Sequence, residues 1–242
     1  FLDHCVVRYG GYSSYYPVPG NIYKTGAGSL RVSNSTISNS SNYGVYVNNA
    51  TATVDILNSA VMTNAAYGIY LLNSPNVTIN NNTFTGNTTS GIYAAGTSGG
   101  LISGNTFTGN GTNGRSPMGM QPTSSGITIT PDNNYSGAVY IEGGTITGNT
   151  TWGNGTNSRY YVNGTVTVAN TAGLTIQPGT VIKFGNGVGL NVSGVLTATG
   201  TLTNTITFTD YRDDTVGGDA NGSTSGDNPA PGWWLGISIA DG

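Results

Sequence analysis

Between Leu30 and Thr108 apolar residues alternate with polar ones in short bursts, and the bursts return at a fixed interval. Val54 and Ile56 flank Asp55, and Val77 and Ile79 flank Thr78; each burst gives way to an Asn-rich corner, one large apolar residue, a second corner and a segment built around glycine. A period of two sends successive side chains to opposite faces of a strand, so each burst predicts a short strand with one face in a core and one in solvent. Ile37, Val61, Phe84 and Phe107 occupy equivalent places at steps of 24, 23 and 23 residues, as do Val32, Ile56, Ile79 and Ile102, and Gly44, Gly68 and Gly91. A fixed step of this size signals a solenoid. Helices are excluded by the spacing of two and by recurrent Asn and Gly, which helices disfavour. Hairpins are excluded as well, because units stacked in register make each strand the parallel neighbour of its copy one coil away. The pattern predicts an all-β solenoid.

The same winding extends in both directions. Residues 1–11 form an alternating strand in which Cys5 is expected as a small buried hydrophobe, and the Tyr-, Ser-, Pro- and Gly-rich stretch 12–28 is expected as a surface loop. After Asn110 the interval stretches to 39 residues, Phe107 to Ile146, which predicts one coil plus a protruding loop at 111–124. From Thr165 short apolar strands resume, and a Gly- and Asp-rich loop at 210–231 precedes a last strand around Ile237. Residues 1–242 are thus expected to form a single β-solenoid of about eight or nine coils with no capping helix.

Asparagine marks the corners. Asn34, Asn58 and Asn81 share one position, followed by Gly104 and Gly143, and Asn64, Asn87, Asn110 and Asn149 share another, three residues after the large apolar one. Asn tolerates left-handed backbone angles and bonds neighbouring main chain, so two stacked ladders are expected. The Asn-Asn-Thr-Phe-Thr-Gly-Asn run at 81–87 and Ser-Gly-Ile-Tyr at 90–93 resemble the right-handed parallel β-helix repeats of the pectin-lyase-like superfamily. That resemblance covers about residues 30–150 and implies three short strands per coil. The later stretch from Leu174 to Thr201, with Ile206-Thr-Phe-Thr209 and Trp234-Leu-Gly-Ile237, resembles coils of large secreted prokaryotic surface proteins, which implies an extracellular or cell-surface location. In such proteins the Trp-Gly-Ile strand leads into a strand like Leu2 to Gly11. The expectation is that copies stack head to tail into a fibre or surface layer, Trp234, Ile237 and Ile239 of one against Phe1, Leu2, Cys5 and Val7 of the next, with an axial repeat of roughly 40 Å.

Composition bears on chemistry. Charged residues are 7% of the chain against roughly 25% in an ordinary soluble domain, so the surface is mostly Thr, Ser, Asn and Gly. A net charge of −3 argues against nucleic acid or an anionic membrane as partner, and no run approaches the roughly 18 apolar residues of a membrane span. One cysteine excludes an internal disulfide. Polysaccharide lyases and epimerases that share the fold need clustered Asp, Arg, Lys or His, whereas Asp55 is the one charged residue from Val32 to Ser103. Asp3, His4 and Arg8 are the remaining candidates, with Asp3 and His4 expected on opposite faces, and the chain is not expected to be an enzyme.

Three surface features stay in view. Asp210, Asp213, Asp214, Asp219, Asn221 and Asp227 supply hard oxygen donors in a Gly-rich loop, a possible structural calcium site; no other cofactor is expected. Tyr46, Tyr70 and Tyr93 lie two residues after the rung glycines and are expected to stack outward, either as a ladder that stabilises the sheet or as a platform for glycans in an adhesin. Asn-x-Ser/Thr triplets at Asn49, Asn76, Asn163 and Asn191, and at ladder positions such as Asn34 and Asn87, are glycosylation candidates.

Overall fold

The computed structural model describes residues 1–11, 19–97, 99–111, 117–124, 126–153, 158–220 and 228–240. The chain winds as a parallel β-solenoid, with all strand pairing parallel and no helix among the described residues. One nine-stranded sheet runs its length and forms a spine, from Gly20–Gly26 through Tyr43–Ala50, Tyr67–Leu72, Ser90–Ala95, Met118–Met120, Val139–Ile141, Arg159–Val162 and Val181–Phe184 to Thr207–Asp210. Beside its first part lie a six-stranded sheet, Leu2–Asp3 to Ile127–Ile129, and a five-stranded sheet, Val6–Arg8 to Thr106–Thr108. Beside its later part lie a four-stranded sheet, Gly144–Ile146 to Gly236–Ile239, and a three-stranded one, Thr150–Trp152 to Val195–Ala198.

The repeated apolar positions become columns of the core. Val32 pairs with Ile56, Ile56 with Ile79 and Ile79 with Ile102, and the neighbouring column runs Ile37, Val61, Phe84, Phe107. All eight are buried, and the Phe84 and Phe107 rings stack 4.8 Å apart at 8°. The rung glycines follow from close approach: a Cβ on Gly68 would lie 2.5 Å from the Gly91 carbonyl oxygen, so coils this tightly nested leave no room for a side chain there.

Three expectations about strands and loops are corrected. Gly20–Gly26, placed in a loop at 12–28, is the first spine strand, in which Ile22 pairs with Val45; residues 12–18 of that expected loop lie outside the described residues. Met118–Met120, placed in a loop at 111–124, is also a spine strand, with Met118 filling the core beside Ile92. Ile146 does not stack on Phe107: its partner is Val168, and the chain above Phe107 is represented by a single bridge between Thr106 and Asn134. Among the described residues the spine alone crosses this point, and both flanking sheets end on one side of it and begin anew on the other.

Candidate functional site

The corners carry two side-chain ladders inside the wall. In one, Ser40 N–H donates to Asn64 Oδ1 (3.1 Å), Asn64 N–H and Nδ2 to Asn87 Oδ1 (3.2 and 2.8 Å), and Asn87 N–H and Nδ2 to Asn110 Oδ1 (3.1 and 2.8 Å). Asn149, expected to continue it, is exposed, because its coil belongs to the sheets that start anew beyond Phe107. The other ladder lies one residue beyond the expected position. Ser35, Ser59, Asn82, Asn105 and Asn133 line it, with Asn82 N–H and Nδ2 on Asn105 Oδ1 (2.9 and 3.0 Å) and Asn105 Nδ2 on Asn133 Oδ1 (3.0 Å). Asn34, Asn58 and Asn81 instead face solvent with φ of 48°, 48° and 55°, so these asparagines turn the corner by their backbone and form no ladder with one another, although Asn34 Nδ2 donates to Asp3 on the neighbouring coil. The doublet Asn81-Asn82 and the pair Gly104-Asn105 show the division of labour: the first residue turns, the second is buried.

On the outer face of the spine Tyr46, Tyr70 and Tyr93 do align in register, and the column extends back to Tyr23. Tyr43 and Tyr67, one residue before the rung glycines, form a second column beside it; the repeated Tyr-Gly-x-Tyr at 43–46 and 67–70 was the signal in the sequence. Ring centroids lie 5.4 Å apart for Tyr23 and Tyr46, 5.1 Å for Tyr43 and Tyr70 and 5.3 Å for Tyr70 and Tyr93, all with planes within 26°. Tyr46 meets Tyr70 edge on, at 69°. Ring faces are therefore turned to one another along the axis, and edges and hydroxyls face outward. Burial raises the phenol pKa of Tyr46 and of Tyr70, and nearby tyrosines add to it. Tyr93 stands on the outer face as expected but is covered there rather than exposed. It is 5% exposed, leans over side-chain-free Gly119, and bonds Glu142; burial first and that bond second push its pKa far up. Beyond Gly119 the column resumes as Tyr140 and Tyr161, whose hydroxyls are tied through Asn163 (2.7 and 2.8 Å), and then Lys183.

Lys183 is 1% exposed and fastens the acidic loop to the spine. Its Nζ donates to the carbonyl oxygens of Asp213 (2.7 Å) and Gly218, with Asp214 Oδ1 at 3.7 Å, and burial lowers its pKa. Arg159 Nη1 donates to Gly217 O at 3.1 Å. The Asp213 carboxylate accepts from Thr215 and Thr209, which hold its pKa below the ordinary value, while Asp219 is exposed. Among the described residues no three His, Cys, Asp or Glu are grouped to hold a metal; Asn221 and Asp227 lie outside those residues. Asp210 turns inward to Arg212 (2.6 Å): burial pushes its pKa up, but the Arg212 and backbone bonds outweigh that and keep it low. The Arg212 guanidinium lies 3.6 Å over the Trp233 ring.

At the first coil Asp3 and His4 do not face apart. His4 takes φ 55° at a corner, which brings its Nδ1 to 3.1 Å from Asp3 Oδ2, and Asp3 also accepts from Ser33 and Asn34. Cys5 sits at this corner, half-buried rather than enclosed, its thiol directed to Asp3 O at 3.4 Å. Arg8 lies over the Tyr9 ring. Of the triplet asparagines, Asn49, Asn76, Asn163 and Asn191 are exposed, whereas Asn87 is fully buried in its ladder.

No curated protein and no solved structure gives a match to the chain. The family model for a right-handed β-helix region matches residues 20–172. With that match over more than half of its length and the parallel winding described above, the chain belongs to the right-handed β-helix family, consistent with the pectin-lyase-like superfamily.

Proposed function

We propose that the protein is a structural β-solenoid unit of the cell exterior that stacks end to end with further copies of itself into a fibre or surface layer. The supporting observation is the winding itself: core columns such as Val32, Ile56, Ile79 and Ile102 pass in register from coil to coil, with Asp55 the one charged residue from Val32 to Ser103, so each coil offers the next a matching apolar column. Ile56, Leu190 and Val192 are buried, but Leu2, in register with Val32 at the first coil, is half-buried, and Ile239, paired with Val192 at the last, is 71% exposed. Ile237 is 36% exposed and Phe1 78%. Trp234 stacks on buried Phe184 at 4.5 Å and is itself half-buried. Another coil laid on either end would bury these side chains and pair strand edges that otherwise invite association. Such a contact joins different surfaces of two copies, and a contact of that kind propagates when it does not close into a ring. The near absence of charge on the coils fits a building element, because nothing repels the next coil.

Electron microscopy and sedimentation of the purified 242-residue chain test this. Filaments with an axial repeat of about 43 Å are expected, from nine spine strands at about 4.8 Å each. Ile239→Lys, at an exposed position that leaves the fold intact, should dissolve them. A monodisperse monomer at high concentration overturns the assembly. Antibody labelling of intact cells tests the location.

A further inference from the structure

Tyrosine is concentrated on the spine in a way that stacking alone does not require. Six of the 15 tyrosines, Tyr23, Tyr43, Tyr46, Tyr67, Tyr70 and Tyr93, form one continuous contact network, with ring centroids 5.1–5.8 Å apart. A phenylalanine would stack equally well, as Phe84 does on Phe107 inside the core. What the phenol adds is redox chemistry, since it can lose an electron and a proton to give a radical that couples to a second ring. Tyr23 is 37% exposed and Tyr43, Tyr46, Tyr67 and Tyr70 are half-buried, so an oxidant can reach the array from solvent, while the partner ring is already held in place.

We infer that this array is a site of oxidative tyrosine coupling that staples successive coils to one another. The near-parallel pairs Tyr23 with Tyr46 (24°) and Tyr43 with Tyr70 (26°) are the coupling partners, and each bond links a residue to one on the next coil. Two phenols each give one electron to the oxidant and one proton to solvent. The two radicals join ortho carbon to ortho carbon, and the ortho hydrogens move to the two oxygens, so each new carbon–carbon bond removes two hydrogens from the chain. The co-reactant is a one-electron oxidant, in a biological setting peroxide acting through a peroxidase, which is reduced to water. With a single cysteine the chain has no disulfide to hold its coils, and a bond across the array closes a loop of about one coil in the same manner. The inference holds for a single molecule and does not depend on fibre assembly.

The test is oxidation of dilute protein with photoexcited tris(bipyridine)ruthenium and persulfate, followed by denaturing electrophoresis, intact mass and peptide mapping. The expected product runs as a monomer, is lighter by two hydrogens per bond, shows biphenol fluorescence, and yields joined peptides carrying Tyr23 with Tyr46 or Tyr43 with Tyr70. Tyr9 is the internal control, because at 72% exposure it is the more accessible ring and has no ring partner among the described tyrosines. Tyr9→Phe should leave the joined peptides unchanged. The double variant Tyr46→Phe, Tyr70→Phe keeps the stacked rings and should lower both joined peptides at least tenfold, with an unchanged circular dichroism spectrum. Dimers joined through Tyr9, bonds confined to Tyr12, Tyr15 or Tyr16, or joined array peptides that persist in the double variant would each overturn the inference.

Discussion

Asn87 holds three coils together from a position with no access to water: its Oδ1 accepts from Asn64, and its Nδ2 donates to Val61 O (2.9 Å) and Asn110 Oδ1. Removing the side chain strands an amide and a carbonyl inside the wall. Asn87→Ala should therefore destabilise by about 2–4 kcal/mol, since a buried polar group without a partner retains its full desolvation penalty. Asn149→Ala, on an exposed residue outside the ladder, should change stability by less than about 0.5 kcal/mol, and urea unfolding of the two variants makes the comparison. The tyrosines give a second prediction at this scale. Burial raises the pKa of Tyr46, Tyr70 and Tyr93, and brings Tyr160 and Tyr161 to about 12. A group with a raised folded pKa contributes stability that is fully present below its unfolded value, about 10, and lost as pH climbs through the folded one. As pH climbs from about 10 toward 12 the melting temperature should fall steeply, because the unfolded chain releases phenolic protons that the folded chain retains. An unchanged melting temperature between pH 9 and pH 12 would contradict this.

The elements differ in how much of them could be read from the residues. A strand such as Val77–Asn80 is legible because apolar positions alternate and the whole unit returns a coil later at Gly100–Ser103. Gly20–Gly26 is not, since of its core-facing residues Ile22 is followed by Lys24, paired with Val47 in a column that is otherwise apolar up to Phe184; at an end coil the lysine chain can lie over the core while Nζ reaches the Thr25 and Gly26 carbonyls. The second ladder was misplaced by one residue because composition cannot tell which asparagine of Asn81-Asn82 takes φ 55° and which turns inward. Tyr93 bonds Glu142, 49 positions away in the chain, and no local pattern announces such a contact. The acidic loop belongs to the same class: as sequence it is a set of oxygen donors, and in the fold it is a strap held by Lys183 and Arg159. Lys183→Met keeps the buried stem and removes the ammonium. It should release the strap and raise the rate of tryptic cleavage after Arg212 at least about tenfold, while the unfolding of the coils themselves changes little, because local opening of a loop and unfolding of coils are separate events in a stacked array. Cleavage at the wild-type rate would show that the strap is held by other contacts.

At the scale of the whole molecule the solenoid is not uniform. Ile127–Ile129 pairs with Gly100–Ser103 and Gly144–Ile146 with Val166–Val168, and among the described residues no pairing joins the two edges between them, so of the described strands those of the spine alone pair across this seam. The packing agrees: Ile129 is half-buried where its column partner Ile102 is enclosed, Ile127 is half-buried beside it, and a cavity of about 80 Å³ opens between Ile129, Tyr135, Val139 and Arg159. Trp152 stacks on Tyr160 at 5.5 Å beside it, and Arg159 spans the gap by donating to Tyr135 O at 3.3 Å. In a stacked array each coil is stabilised by its own folding and by its two neighbours, so an interface with one sheet paired instead of three is the weakest step along the axis. The coils on either side should then behave as two cooperative blocks. Hydrogen exchange read by mass spectrometry should show slow exchange in the flanking strands from Val32 to Phe107 and from Val166 to Val192, fastest exchange among strands at 127–129 and 144–152, and an intermediate rate for the spine strand Val139–Ile141 that joins the blocks. Raising denaturant should unfold the blocks at separate midpoints, with the break falling between Thr130 and Gly144. Closing the seam should merge them: filling the cavity by Val139→Ile is expected to raise the lower midpoint and leave the upper one in place. A single cooperative transition with uniform exchange along all nine spine strands would mean that the spine alone couples the two halves.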